Sequence, residues 1–371
     1  MLTAPRRQPA RTAVAVLVAV VLTACGTTEV VGTRTFAEQD AGGSRGATST
    51  TGPTTRGVTE VVAPKGPVTF AFGGDVHFEG VLRGALDADP TSVLADIAPS
   101  LGGADIAMVN LETAITEGGT PEDKAYTFRA PATAFDALRA AGVDVVSMAN
   151  NHGMDYGQDG FADSLAARDA SGFPVIGIGA DAAEAYAPHR VVVNGQRIAI
   201  FAATDVLDGH LISRWTATDG QPGLASAKER DRLLGAVAAA RPQADTVVVF
   251  LHWGTEGTTC PNATQPDLAQ ALIDAGADIV VGSHAHRLVG AGRRGEALVA
   301  YGLGNFAFYT SGGPGAETGV LHVTATGRRI DEYTWEPATI VAGRPRPLTG
   351  AEAESASTSW AALRDCTDLE P

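Results

Sequence analysis

The sequence predicts a layered α/β domain built on a mixed sheet or a two-sheet sandwich flanked by helices, and three observations carry that expectation. Short apolar runs recur from Val68 onward, and amphipathic stretches of helical period separate several of them. Polar, histidine-bearing segments fall directly after the apolar runs, where open α/β sheets place ligands. The alternation of strand and helix implies helices layered on a sheet. With 371 residues and 44% apolar side chains, the chain has ample material for a packed core.

At the N-terminus, Arg6, Arg7 and Arg11 precede an apolar stretch from Ala13 to Leu22 that is too short for an ordinary membrane span. It ends in Leu22-Thr23-Ala24-Cys25-Gly26, which resembles a bacterial lipobox, whose cysteine is acylated and begins the mature protein. Residues 1–25 are therefore expected to be a lipoprotein signal peptide; a plain secretory signal is the alternative. Residues 26–66, rich in Thr, Gly, Ser and Ala and without a steady period, read as a flexible tether. This layout predicts a protein held at the extracytoplasmic face of the cell membrane by a lipid on Cys25. The two remaining cysteines, Cys260 and Cys366, can pair in an oxidising setting or stay free, and no spacing rule decides between these.

A domain is expected over residues 67–345. Its strands are Val68 to Phe72, Ile106 to Val109, Val143 to Met148, Val175 to Ile178, Ile198 to Ala202, Thr246 to Leu251, Ile279 to Val281 and Leu298 to Tyr301. Helical patterns cover Ala132 to Ala141, Gly160 to Ala170, Ala227 to Ala240 and Pro266 to Ala275; Gly142, Gly172 and Gly276 suit the ends of three of them. Asn194-Gly195 between two β-rich runs is a two-residue hairpin signal, and Thr318 to Glu336 is a second antiparallel region. Residues 346–371 form a C-terminal tail, with a short helix over Gly350 to Leu363 and a loose end. The formal charge of −15, from 42 acidic and 27 basic residues, argues against nucleic acid as a partner.

The chemistry-bearing residues follow the strands in order. Gly73-Gly74-Asp75-Val76-His77 offers an Asp and a His able to turn toward one cation, and Asn110-Leu111-Glu112 offers a carboxylate able to bridge two. Ala149-Asn150-Asn151-His152 supplies a hard amide oxygen beside a histidine suited to acid or base work. Phe250-Leu251-His252-Trp253-Gly254-Thr255-Glu256 and Gly282-Ser283-His284-Ala285-His286 leave two further strands, and the His-x-His spacing is the most specific local signal. Gly302-Leu303-Gly304-Asn305-Phe306 closes the last central strand, with Asn305 placed to orient a ligand or a substrate group. Five of the eight histidines lie at these strand ends.

In their order these six motifs resemble the CapA family of capsule and poly-γ-glutamate synthesis proteins over about residues 68 to 310. That family is similar to the metallophosphatases, so the resemblance implies a four-layer metallophosphatase-like β-sandwich flanked by helices, with two divalent metal ions at the strand ends. It implies that Asp75, His77 and His286 hold one cation, that Asn151, His252 and His284 hold the other, that Glu112 bridges them and that His152 is the general acid. Asn150, Glu256 and Asn305 are expected to support ligands or substrate. The chain departs from the superfamily at Glu112, where an Asp is usual, and at Ala-Asn-Asn-His, where Gly-Asn-His is usual. The position of His77 is apolar in many CapA-like sequences, so its presence speaks for a complete first site.

A ligand set of Asp, Asn, His and Glu without thiolates suits manganese, iron or zinc. The expected substrate is a phosphoester or an anionic surface polymer, with Lys124 and Arg129 placed to contact it. The alternative to a hydrolase is a non-catalytic accessory or binding subunit of a membrane complex that makes or exports the polymer.

Overall fold

The computed structural model describes residues 65–310 and 312–371; the expected signal peptide, the expected lipobox and nearly all of the expected tether lie outside the described residues. The first sheet is built on β1 (Val68–Val76), β2 (Ile106–Leu111), β3 (Val145–Ser147) and β4 (Val175–Ile176), which run parallel to one another. The second contains β5 (His189–Val193), β6 (Gln196–Thr204), β7 (Thr246–His252), β8 (Ile279–Ser283), β9 (Leu288–Arg294) and β10 (Ala297–Leu303) in the order β9-β10-β8-β7-β6-β5. The chain then returns to the first sheet with β11 (Asn305–Ala307), β12 (Glu317–Thr326), β13 (Arg329–Val341) and β14 (Arg344–Pro347). The antiparallel ribbon of β12, β13 and β14 extends that sheet beyond β1, and β11 pairs with the end of β1.

Strand alternation explains the layers. On β1, Val68, Phe70 and Phe72 point into the space between the sheets, where they meet Ile200 of β6, Phe250 of β7 and Val281 of β8. Ala71, Ala107 and Val109 point the other way, into a core closed by α1 (Val81–Ala88), α2 (Ala134–Ala140) and α3 (Gly157–Ser171). On the far side, Phe201, Val249 and Val280 pack under α4 (Arg230–Ala240) and α5 (Thr264–Ala275). Helix, sheet, sheet and helix give the four-layer sandwich expected, and burial on both faces explains the near-continuous apolar runs of the central strands. The hairpin is also as expected: Val193 faces Gln196, and Asn194 and Gly195 both have positive φ, 50° and 77°.

Three departures have local causes. Val175 to Ile178 is broken at Gly177, whose φ of 82° turns the chain so that Ile178–Gly179 pairs instead with Gly223–Leu224 in a separate ribbon. The strand β9, which starts straight after His286, is absent from the expected elements, because its Gly and Arg residues hide its period. The tail is not loose. Here α6 (Gly350–Ala362) lays Trp360 flat on Trp335, ring centroids 5.0 Å apart, and Glu370 pairs with Arg293 of β9. Cys366 is bonded to Cys260, so the tail is tied to the loop after β7 across 106 residues of sequence. Closing a loop of that size restricts the unfolded chain, and Cys366→Ser is expected to lower the unfolding free energy by about 2–5 kcal/mol in a denaturant titration. An unchanged midpoint would remove the bond from the account of stability.

Candidate metal centre

Parallel strands carry their C-terminal ends to one rim, and the register sets the functional residues level. Asp75 faces Asn110 on one side and Asn305 on the other, Asn110 faces Ser147, and in the second sheet His252 faces Ser283 and Thr204. Glycine makes the rim compact. A Cβ on Gly74 would sit 1.9 Å from the Gly304 carbonyl oxygen, and one on Gly282 would sit 2.0 Å from the indole nitrogen of Trp253, which donates to the Tyr301 carbonyl at 2.9 Å. The His-x-His turn is strained: His284 has φ 99° and His286 φ 52°. The strain brings the His284 N–H onto Asp75 Oδ2 at 3.1 Å.

Two groups of ligand atoms converge on Glu112. His252 Nε2 lies 2.7 Å from Asn151 Oδ1, 3.1 Å from His284 Nδ1 and 3.3 Å from Glu112 Oε1. On the other side, His286 Nδ1 lies 3.4 Å from Asp75 Oδ2, and Glu112, His284 and His286 each bring a ligand atom within 4.8 Å of the others. Asn110 sits beneath, its amide donating to Asp75 Oδ1 at 2.8 Å and lying 3.1 Å from His252 Nδ1. Ser283 Oγ is also 3.1 Å from His252 Nδ1, and Asn305 Oδ1 is 2.8 Å from His286 Nδ1. Asn150 braces the floor by donating to Asn110 Oδ1 and to the Leu111 carbonyl, and it accepts the His152 N–H.

The charges of this cluster are those of a cation site. Glu112 is fully buried and neither of its carboxylate oxygens has a hydrogen-bond partner. Burial first, and then the neighbouring Asp75, push its pKa up to about 8. Burial lowers the His252 pKa to about 3 and holds His284 well below the ordinary value, so both are neutral imidazoles, the form that ligates a metal. For His286, burial acts downward, but the Glu112 and Asp75 carboxylates carry it up to about 10. Burial acts to raise Asp75, yet the bond with His286 and the charges of His252 and His286 hold it below the usual carboxylate range. An orphaned buried carboxylate facing clustered imidazole nitrogens and an amide oxygen fits divalent cations.

His152 stands at the edge of this set. Its Nδ1 is 2.5 Å from Asp155 Oδ2, its Nε2 points at Glu112 Oε1 from 4.0 Å, and its ring stacks on Phe128 at 4.0 Å. A carboxylate only accepts, so Nδ1–H is the donor and Nε2 is the nitrogen turned to the centre. A pocket of about 340 Å³ opens beside the site between Asn151, Asp208, Glu256 and His284.

Of the residues expected at the site, Asp75, Glu112, Asn151, His252, His284 and His286 converge, with Asn150 and Asn305 bracing them and Glu256 at the mouth. His77 stands beside the cluster, and its nitrogens are turned to other partners. Its nitrogens face the backbone N–H groups of Glu79 at 3.0 Å and Tyr309 at 3.3 Å, its ring lies among Phe128, Phe308 and Tyr309, and burial lowers its pKa to about 3. Lys124 and Arg129, expected to reach an anionic substrate, are engaged within the protein: Lys124 pairs with Asp155 at 2.6 Å, and Arg129 lies over the Tyr156 ring at 4.8 Å. Asn110 and Asp155 are the functional residues the motif reading gave no role. A polar residue next to the end of the otherwise apolar β2, and a carboxylate three residues beyond His152, were the available signals.

The family described as "Bacterial capsule synthesis protein PGA_cap" matches residues 69–310. The chain is 30% identical over 309 residues to "Capsule biosynthesis protein CapA" of Bacillus anthracis, a match covering 79% of this chain and 74% of that protein. It is 32% identical over 222 residues to "PGA biosynthesis protein CapA" of Bacillus subtilis, covering 58% of this chain and 57% of that protein. Among solved structures it is similar to a novel phosphatase of Mycoplasma pneumoniae at 14% identity and a TM-score of 0.45, covering 74% of this chain and 94% of that one.

Proposed function

The chain belongs to the bacterial capsule synthesis protein family, and from that premise we propose that it is a metal-dependent hydrolase of capsule or poly-γ-glutamate biosynthesis. Its substrate on this reading is a phosphoester or the anionic surface polymer itself. The single observation that carries the hydrolase reading is Glu112, a bare buried carboxylate set between two groups of ligand atoms. Two divalent ions of manganese, iron or zinc fit this donor set; Asp75 and His286 would hold one, Asn151, His252 and His284 the other, and Glu112 both. When bound, such ions acidify a water and neutralise charge developing on the substrate oxygens.

The protein's own groups supply the rest. Asn110 and the His284 N–H fix the Asp75 carboxylate, and Asn305 fixes the His286 ring. His152 holds a proton at Nε2 for the leaving oxygen while Asp155 stabilises the resulting ring charge through Nδ1–H. Phe128 and Phe308 form an apolar wall on that side of the site, which keeps water off the donor.

Elemental mass spectrometry tests the reading: the native chain is expected to hold about two metal ions and His284→Ala fewer than one and a half. Hydrolysis of a phosphodiester panel by the loaded protein is the accompanying readout. A native chain that takes up none of the three metals would leave the non-catalytic subunit of a membrane synthesis complex as the better reading.

The lipobox supports placement on the outer face of the cell membrane through a lipid on Cys25. Cys25→Ser is expected to move the protein from the membrane fraction to the soluble one, and membrane retention in that variant would argue against the anchor.

A further inference from the structure

The Lys124 side chain is 6% exposed, although it rises from a loop beside the open rim. Its ammonium meets the Asn151 backbone carbonyl, lies 2.6 Å from Asp155 Oδ1, 3.8 Å from Asp208 Oδ2 and 5.0 Å from the centre of the Trp215 ring. Burying an ammonium is costly unless it is paired, and this one is paired at the turn that carries a metal ligand and the proton donor. Both ends of that turn are gripped: Asn151 through its carbonyl and Asp155 through its carboxylate. The loop around Lys124 is itself fastened to the same turn, since the Glu122 N–H donates to the Asp155 carbonyl at 2.8 Å and the Phe128 N–H to Asp155 Oδ2 at 2.7 Å. Arg214 holds Glu122 at 2.6 Å from outside.

We propose that Lys124 is a positioning residue of the metal centre, fixing from below the turn that presents Asn151 to the cation and His152 to the leaving group. This rests on the hydrolase reading for its proton-donor half, and on metal binding alone for its ligand half. Asp155 has one oxygen on Lys124 and the other on His152 Nδ1, so the ammonium sets where the imidazole stands as well as where Asn151 Oδ1 points. The lysine acts through these groups and touches no reacting atom.

The test is a calorimetric titration of the metal-free full chain with Mn²⁺, for the native protein, Lys124→Met and the double variant Lys124→Met with Asp155→Asn. The double variant removes both members of the buried pair and leaves no lone charge to unfold the protein. Mn²⁺ affinity is expected to fall by about 10–100-fold in both variants, with circular dichroism unchanged, as for other groups that hold a ligand from behind. In turnover, Lys124→Met is expected to lose more on an alkyl phosphodiester than on a nitrophenyl one, because only the poor leaving group needs the proton. Mn²⁺ affinity within twofold of native in a folded variant overturns the proposal and leaves the metal centre standing. A native chain that binds neither Mn²⁺ nor Zn²⁺ overturns the metal centre and this proposal together.

Discussion

Glu112→Gln is expected to empty the centre of metal and, in the metal-free protein, to make the fold increasingly more stable than native as pH rises from about 5 to 8. The two effects have one cause. In the native metal-free fold the Glu112 pKa is pushed up to about 8 from an ordinary 4.5, so between those values the folded chain holds a proton that the unfolded chain has released. Folding therefore takes up a proton in this window, and native stability falls as pH rises through it. Glutamine has the same shape and no charge to bury, which removes the penalty, on the order of 5 kcal/mol once both states are ionised. His286 keeps Asp75 as its partner in the variant. Denaturant titrations of both metal-free proteins should coincide near pH 5 and separate near pH 8.5, with the variant the more stable. A variant no more stable at the higher pH would mean that Glu112 is not the uncompensated charge described here.

His152→Ala is expected to lower phosphodiester turnover by about 10²–10⁴-fold while leaving metal content unchanged. The histidine is 4.0 Å from Glu112, bonds Asp155, and is outside the group of nitrogens that meet at His252. Asp155→Asn is expected to cost less than His152→Ala, because the ring remains and only its orientation and the balance of its charge are lost. Loss of metal in His152→Ala would place the residue among the ligands instead. Unchanged turnover in a fully loaded His152→Ala protein would remove it from the chemistry.

The site was legible in the sequence because parallel strands end together: six polar motifs after six apolar runs, read at one rim, bring Asp75, Glu112, Asn151, His252, His284, His286 and Asn305 into one place. The layers were legible for a related reason, since strands buried on both faces are apolar along most of their length. What escaped depends on contacts distant in sequence. The period of a strand gives no hint that both nitrogens of His77 face backbone N–H groups from two different loops, or that Lys124 turns inward onto Trp215. A loop lysine is usually solvated, and only the folded Asn151 to Asp155 turn reveals the carboxylate and carbonyl that draw this one in. The pairing of Cys260 with Cys366 likewise needed the tail to be seen lying against β9.

The six converging candidate ligands divide evenly between the two sheets, with Asp75, Glu112 and Asn151 at the strand ends of one and His252, His284 and His286 at the strand ends of the other. Neither sheet alone owns a complete site, so the centre is a seam. A cation can be held tightly only after the two halves of the sandwich have met, and it then opposes their parting by about 2.7 kcal/mol at a hundredfold excess over its dissociation constant. On the proposed reading, metal supply thus bears on the protein's persistence as well as on its chemistry: a chain that finds no ion keeps at this seam a buried acid, Glu112, that no hydrogen bond meets.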